Sequence, residues 1–331
     1  MRKGTVLKVL LGILGMAVLI LDGQTAAYGI RCGIEICLKT LIPSLFPLFV
    51  ISGMITGSVA GHSIPFLRQV CCLCRVPSGS EPLVAVGFLS GYPVGAKNVH
   101  DVLCKGRISE ENAQRLALLC SNAGPAFIFG ILGPMFSGFR WSLALWVLQS
   151  VSGILTLMLF PGGEPEQMST KETQSVNPSS LIFQSTKSMV SVCAWVTVFR
   201  MVLEFLNRWV FWLLPDWLRI LMTGLLELSN GCLELGSLSN EYTRFLLASV
   251  LLLFGGLCVF LQIQSVFPEL DAGFYLKGKV FQSILCLLLT VPVYFLLTGK
   301  ISDFGSLLII AGMLVSLVFL CRFRKKEVAI R

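Results

Sequence analysis

PLVAVGFLSGYPVGAKN, residues 82–98, is apolar enough to enter a bilayer and too broken to cross one. A crossing helix needs about 20 mostly apolar residues in unbroken α geometry. Here Gly91, Pro93 and Gly95 fall close together at the centre. The stretch reads as a helical hairpin that dips into the membrane and returns, with its tip at SGYPVGAKN (90–98). Irregular backbone at membrane depth is tolerated only where protein or a water-filled cavity surrounds it, so such a tip tends to line a site. LPDWLRILMTGLLELSNGCLEL, residues 214–235, has the same interrupted character and reads as a second hairpin.

The two hairpins sit in matching surroundings. GFLSGYPV (87–94) can be laid beside GLLELSNG (224–231). Upstream, KTLIPSLF (39–46) aligns loosely with KSMVSVCA (187–194). Downstream, SNAGP (121–125) interrupts one apolar run and FGG (254–256) another. Span, hairpin and broken span are therefore expected twice, with the second set starting from the opposite side of the membrane; chance similarity of two apolar Gly-rich stretches is the alternative. Inverted repeats with discontinuous helices are characteristic of secondary transporters, with substrate held near the midplane.

Composition agrees with a membrane setting. Of 331 residues, 55% are hydrophobic and 13% charged, and the mean hydropathy is +0.80. Soluble domains carry about 25% charged residues, so an ordinary cytosolic enzyme, a disordered chain and a nucleic-acid-binding domain are excluded. The expectation is an all-α polytopic membrane protein with about eight transmembrane helices, two re-entrant hairpins and an inverted repeat. The spans fall at 5–21, 41–57, 112–135, 141–160, 181–211, 242–267, 279–297 and 304–321. They group as an N-terminal signal-anchor helix (1–22), a first repeat (23–160), a polar cytoplasmic linker (161–180), a second repeat (181–300), and a last span with a basic tail (301–331). Arg2, Lys3 and Lys8, the tail, and loop residues such as Arg68, Arg75, Lys105, Arg107, Lys171, Lys277 and Lys279 are assigned to one side. The opposite loops hold Arg140, Arg219 and Lys300. By the positive-inside rule both termini are expected in the cytoplasm. Most of the 12 cysteines lie singly in apolar stretches, where a thiol acts as a small hydrophobe. Cys71, Cys72 and Cys74 form the one cluster, but neither His62 nor His100 stands at ligand spacing, so no metal site is expected.

Candidate binding residues gather at the breaks. At the first tip, Ser90, Gly91, Tyr92, Pro93, Gly95, Lys97 and Asn98 combine close backbone approach, a free helix start and a positive charge. A tight structural turn with Lys97 reaching the interface is the alternative there. Ser121, Asn122 and Gly124 stand at the break ahead of Pro125, where a plain proline kink is the alternative. Glu227, with Ser229 and Asn230, is the sharpest candidate, because an intramembrane carboxylate is costly and usually serves a partner, an ion or a substrate. Its alternative is a shallow interfacial position. Gln262 adds hydrogen-bonding capacity after the second break. Arg200 and Glu204 stand at helical i,i+4 spacing and are expected to pair with each other. Glu35 and Lys39 are expected on an interfacial stretch before the second span. No phosphate loop, metalloprotease His pair or nucleophile elbow is present, so no catalytic residues and no enzymatic activity are expected.

LIPSLFPLFVISGMI (41–55), GFLSGYPVGAKNV (87–99), ISEENAQRLALLCSNAGPAFIFGILG (108–133), GLLELSNG (224–231) and FGGLCVFLQIQS (254–265) resemble the sporulation integral membrane protein YlbJ family. That family belongs to the nucleoside-recognition, or Gate, domain group, whose domains are similar to parts of concentrative nucleoside transporters. Ser121 stands where the family pattern has Asn. The resemblance implies two Gate-like repeats and a role in forming the spore cortex. It also implies movement of dipicolinic acid across a mother-cell or outer forespore membrane. The partners it implies are the lipid bilayer, a small anionic metabolite, and a second copy of the chain or other sporulation membrane proteins, with no nucleic acid. No cofactor is expected beyond H⁺ or Na⁺ as coupling ion. A non-transporting assembly or signalling factor for the cortex is the alternative function.

Overall fold

The computed structural model describes residues 3–160, 162, 167–169, 177–300 and 305. The last expected span, 304–321, and its basic tail lie outside the described residues, as does most of the linker. Helix α1 (Lys3–Leu21) leads through Asp22 into α2 (Gly23–Ile36). A π-turn (Cys37–Leu41) joins α2 to α3 (Ile42–Val59), making one long crossing element. Its cause is local: Pro43 has no N–H to give the carbonyl four residues back, so the ladder widens there. The second span thus starts at Gly23, not Leu41. Glu35 and Lys39 lie within the long helix, paired at 2.6 Å on its exposed side. Helix α4 (Pro65–Cys74) follows, then a hairpin of α5 (Glu81–Ser90) and α6 (Val94–Cys104). Next comes a broken span, α7 (Glu110–Cys120) and α8 (Pro125–Phe127), extended by a second π-turn (Ile128–Leu132) and a 3₁₀ turn (Gly133–Met135). Pro134 stands just after that π-turn as Pro43 stands after the first. Helix α9 (Phe139–Leu159) closes the first set.

The second set repeats the order. Helix α10 (Pro178–Trp209) starts inside the stretch read as linker, because Asn177 accepts from the Ser179 N–H at 3.0 Å and caps it. A hairpin follows, α11 (Asp216–Leu226) and α12 (Leu228–Glu234). Then come a broken span, α13 (Glu241–Phe254) and α14 (Gly256–Val266), and the crossing helix α15 (Ala272–Thr298). Six elements among the described residues are long and apolar enough to span a membrane. Each set contains three of them, an odd number, so the second begins on the face opposite the first.

Cross-contacts mark the two faces. On one, Arg208 pairs with Asp22 at 3.3 Å and Arg244 donates to the Met135 carbonyl at 2.6 Å. On the other, His100 meets Glu269 at 2.9 Å and Arg107 donates to the Ala60 carbonyl at 2.6 Å. The first hairpin opens toward the second face and the second hairpin toward the first. The protein is an all-α polytopic membrane protein whose hairpins enter from opposite sides.

Lipid is as apolar as a leucine side chain, so helices in a membrane associate through close packing rather than expulsion of water. GIRCG (29–33) on α2 serves this end. A Cβ on Gly29 would lie 2.6 Å from the Met201 Cα, and one on Gly33 would lie 2.7 Å from the Thr197 Cα. The first helices of the two sets, α2 and α10, thereby press backbone to backbone. Elsewhere Trp141 on α9 packs edge-on to Phe245 on α13, with ring centroids 5.1 Å apart, and tilts against Tyr294 on α15 at 5.7 Å.

Candidate functional site

Where the hairpin tips converge there is a cavity of about 260 Å³. Both sets contribute in corresponding positions. The first supplies Thr40 of its π-turn, Ser44 of α3, the tip residues Ser90, Tyr92 and Pro93, and the half-span from Gly124 to Ile131. The second supplies Val192 and Val196 of α10, the tip residues Glu227, Leu228 and Ser229, and Val259 and Gln262 of α14. Both π-turns reach the wall, which accords with the frequent placement of such turns at functional sites.

The first tip turns at Gly91, whose φ is +70°. A side chain there would strike the Asn122 carbonyl oxygen and the Gly124 backbone. The Tyr92 N–H donates to that same Asn122 carbonyl at 2.9 Å, so the hairpin is seated directly on the broken span. The Tyr92 hydroxyl donates to the Leu252 carbonyl of α13 at 3.4 Å and ties the two sets together. Ser90 turns its hydroxyl back onto the Val86 carbonyl at 2.7 Å. Gly95 admits the Cys120 carbonyl against its backbone. Lys97 does not line the cavity. It is buried in α6 and pairs with Asp101 at 2.6 Å, one turn further toward the membrane face. Asn98 is buried too, and its amide meets no partner among the described residues.

Glu227 occupies the second tip, 1% exposed. Its carboxylate accepts from the Ser229 N–H at 3.1 Å, the Asn230 N–H at 2.8 Å and the Asn230 side-chain amide at 2.5 Å. It therefore caps α12 itself, and the start of that helix already holds an anion. Behind it, Arg200 donates to the Asn230 side-chain oxygen at 2.8 Å and pairs with Glu204 at 2.5 Å. The expected Arg200–Glu204 pair is thus one end of a relay to Glu227. Glu227 is buried inside the protein at the cavity wall. Gln262 donates to the Cys258 sulfur at 3.2 Å and lines the cavity beside it.

Of the expected residues, Ser90, Tyr92, Pro93, Gly124, Glu227, Ser229 and Gln262 meet at the cavity. Gly91, Gly95 and Asn230 shape the tips from behind. Ser121 and Asn122 hold Lys279, which the sequence had placed with the loops. The structure puts Lys279 inside α15 at 1% exposure, against the α7 break. Its ammonium donates to the Ser121 carbonyl, and to Asn122 Oδ1 and Gln282 Oε1 at 3.1 Å each. Gln149 on α9 braces the same break, accepting from the Ala123 N–H at 3.1 Å and donating to its carbonyl at 2.5 Å. Spacing alone hid these three. The available signal was polarity inside apolar runs: Gln149 within α9, and Lys279 with Gln282 one helical turn apart in α15.

Among the described residues the cavity is apolar on most sides, with hydroxyls, one amide and one carboxylate near its tips, and no Lys or Arg in its lining. It can hold a small molecule with an apolar or aromatic body and hydrogen-bonding edges.

The chain is 30% identical over 125 residues to the sporulation integral membrane protein YlbJ of Bacillus subtilis (strain 168). Over that stretch it is similar to that membrane protein. The match takes in 36% of this chain and 30% of the relative's length, and it supports the YlbJ resemblance read from the sequence. No protein-family model matches the chain. No solved structure matches it either.

Proposed function

We propose that this chain is a secondary transporter of sporulation membranes, and neither an enzyme nor a static scaffold. Its cargo is a small anionic metabolite, dipicolinate by resemblance to the YlbJ family, moved during formation of the spore cortex. One observation carries this reading: a cavity lies where two oppositely inserted hairpins and both broken spans converge, lined by equivalent positions of each set. Such a symmetric centre allows the same contacts to be presented to either face as one set rocks against the other.

Dipicolinate is a dianion near neutral pH, and the lining offers it no basic side chain among the described residues. It therefore travels partly protonated or with a compensating cation. Its ring lies against Tyr92 and Phe127, and its polar edge meets Ser229, Gln262 and the tip backbone. The face bearing Arg68, Arg75, Lys105 and Arg107 is the cytoplasmic one, with the N-terminus and the linker on the same side.

Proteoliposomes containing only this protein test the proposal. Labelled dipicolinate is expected to enter in a saturable manner and to accumulate when an inward proton gradient is imposed. A correctly folded protein that passes none, with or without a gradient of protons or Na⁺, would instead favour a cortex assembly or signalling factor.

A further inference from the structure

Lys279 lies about two turns into the crossing helix α15, buried, and no carboxylate lies within ion-pair distance of its Nζ among the described residues. What surrounds it is a ring of neutral oxygens. The Ser121 carbonyl is an unclosed acceptor at the C-terminal end of the half-helix α7, where the helix dipole is negative. Asn122 and Gln282 supply the other two oxygens, at 3.1 Å each. Both amides are held in the orientation that presents oxygen to the cation. The Asn122 NH₂ donates to the Leu119 carbonyl at 2.8 Å, and the Gln282 NH₂ donates to Asn122 Oδ1 at 2.8 Å and to the Gln149 carbonyl at 3.1 Å. The Tyr275 ring completes the shell, 5.7 Å from the ammonium to its centroid.

Half-helix C-termini and unwound carbonyls are where membrane carriers commonly seat a monovalent coupling ion. The other break does without one. At Gly255 the backbone turns left-handed and its N–H closes onto the Leu251 carbonyl at 2.9 Å. We propose that the oxygens at the α7 break form a monovalent-cation site whose resident cation is the Lys279 ammonium. The side chain takes the place of a sodium ion and makes this hinge sodium-independent. The hinge matters to the cavity because Asn122, a ligand of the ammonium, also carries the first hairpin tip on its own carbonyl. This inference deepens the transport reading, but its structural half stands without it.

Thermal unfolding of the purified full-length protein in detergent tests the site directly, comparing NaCl, LiCl and choline chloride at equal ionic strength. The wild type is expected to show the same midpoint in all three. Lys279→Ala is expected to melt several degrees lower in choline, with much of the loss recovered in NaCl or LiCl. Adding Asn122→Ala should abolish that recovery. Lys279→Gln keeps a hydrogen-bonding group without the charge, and serves if the alanine variant does not fold; it is expected to show the same sodium rescue. A Gln variant as stable as the wild type, or one indifferent to sodium, overturns the proposal. In proteoliposomes, wild-type uptake should be equal in sodium and choline, and Lys279→Ala should need sodium. Absence of uptake under every condition would remove the transport reading while leaving the melting result to stand or fall alone.

Discussion

Glu227 is the one charged residue facing the cavity among the described residues, and its carboxylate has two duties. It closes the backbone at the start of α12, and it presents negative charge to whatever enters. Glu227→Gln separates the two. The amide keeps one acceptor oxygen and turns a donor toward N–H groups already present, so stability should fall by about 1–2 kcal/mol, as for a lost charged hydrogen bond. Dipicolinate uptake should fall more than tenfold, with the protein still monodisperse; uptake within twofold of wild type would remove Glu227 from the site. Lys97 makes the opposite case. Its ammonium is committed to Asp101, so Lys97→Ala should cost stability, as removing one member of a buried pair does, while the affinity of the folded fraction for substrate is unchanged. Measuring melting and binding on the same sample distinguishes the two. These residues also show what a sequence reveals at this scale. A carboxylate amid Gly, Ser and Asn stood out in the sequence, because few structural roles explain it, and it is buried at the cavity. Lys97 and Lys279 are the same residue type beside similar Gly-rich segments, and only the three-dimensional neighbours, Asp101 for one and the α7 carbonyl end for the other, separate an ordinary ion pair from a cation site.

At the level of the elements, each hairpin is pressed onto the broken span of its own set through a glycine. Gly87 on α5 and Gly224 on α11 hold corresponding places in the two tip sequences. An added Cβ at Gly87 would lie 2.5 Å from the Cys120 Cβ and 2.9 Å from its Cα. At Gly224 its nearest neighbours would be the Leu251 side-chain atoms, the two methyls at 2.6 Å. Backbone cannot retreat as a leucine end can. Gly87→Ala should therefore destabilise by about 1–3 kcal/mol, the usual range for overpacking, and Gly224→Ala by clearly less. Equal effects in melting experiments would mean that the hairpins are not seated as described. The hairpins were legible because Gly and Pro within an apolar run leave few alternatives. The extent of the second span was not. Two prolines, Pro43 and Pro47, and a surface pair, Glu35 with Lys39, suggest a helix start near residue 41. The structure instead carries the helix through a π-turn, which costs one widened ladder step and turns Thr40 toward the cavity.

Across the whole molecule, the inverted repeat fixes which loops share a side, and cysteine chemistry reports it. Cys104 ends α6 on the face that carries Lys105 and Arg107, and it is exposed. Partial burial and the Glu269 and Asp101 carboxylates push its thiol above the ordinary range. The reactive thiolate is therefore scarce at neutral pH and grows as pH rises toward that raised value. Cys71 and Cys74 on α4 are pushed up to about 12 by burial and should stay unreactive through the same range. A membrane-impermeant maleimide should thus label Cys104 in inside-out vesicles and spare it in intact cells, with a rate that climbs between pH 7 and 9. Glu269→Gln removes one of the two raising charges, so labelling at pH 7.5 should become faster while the accessible side stays the same. A cysteine introduced at Asn240, on the opposite face, should show the reverse sidedness. Labelling of both positions from one side would place the two hairpins in the same leaflet. With them there, the tips could not meet from opposite faces, and the cavity would lose the symmetry on which alternating access depends.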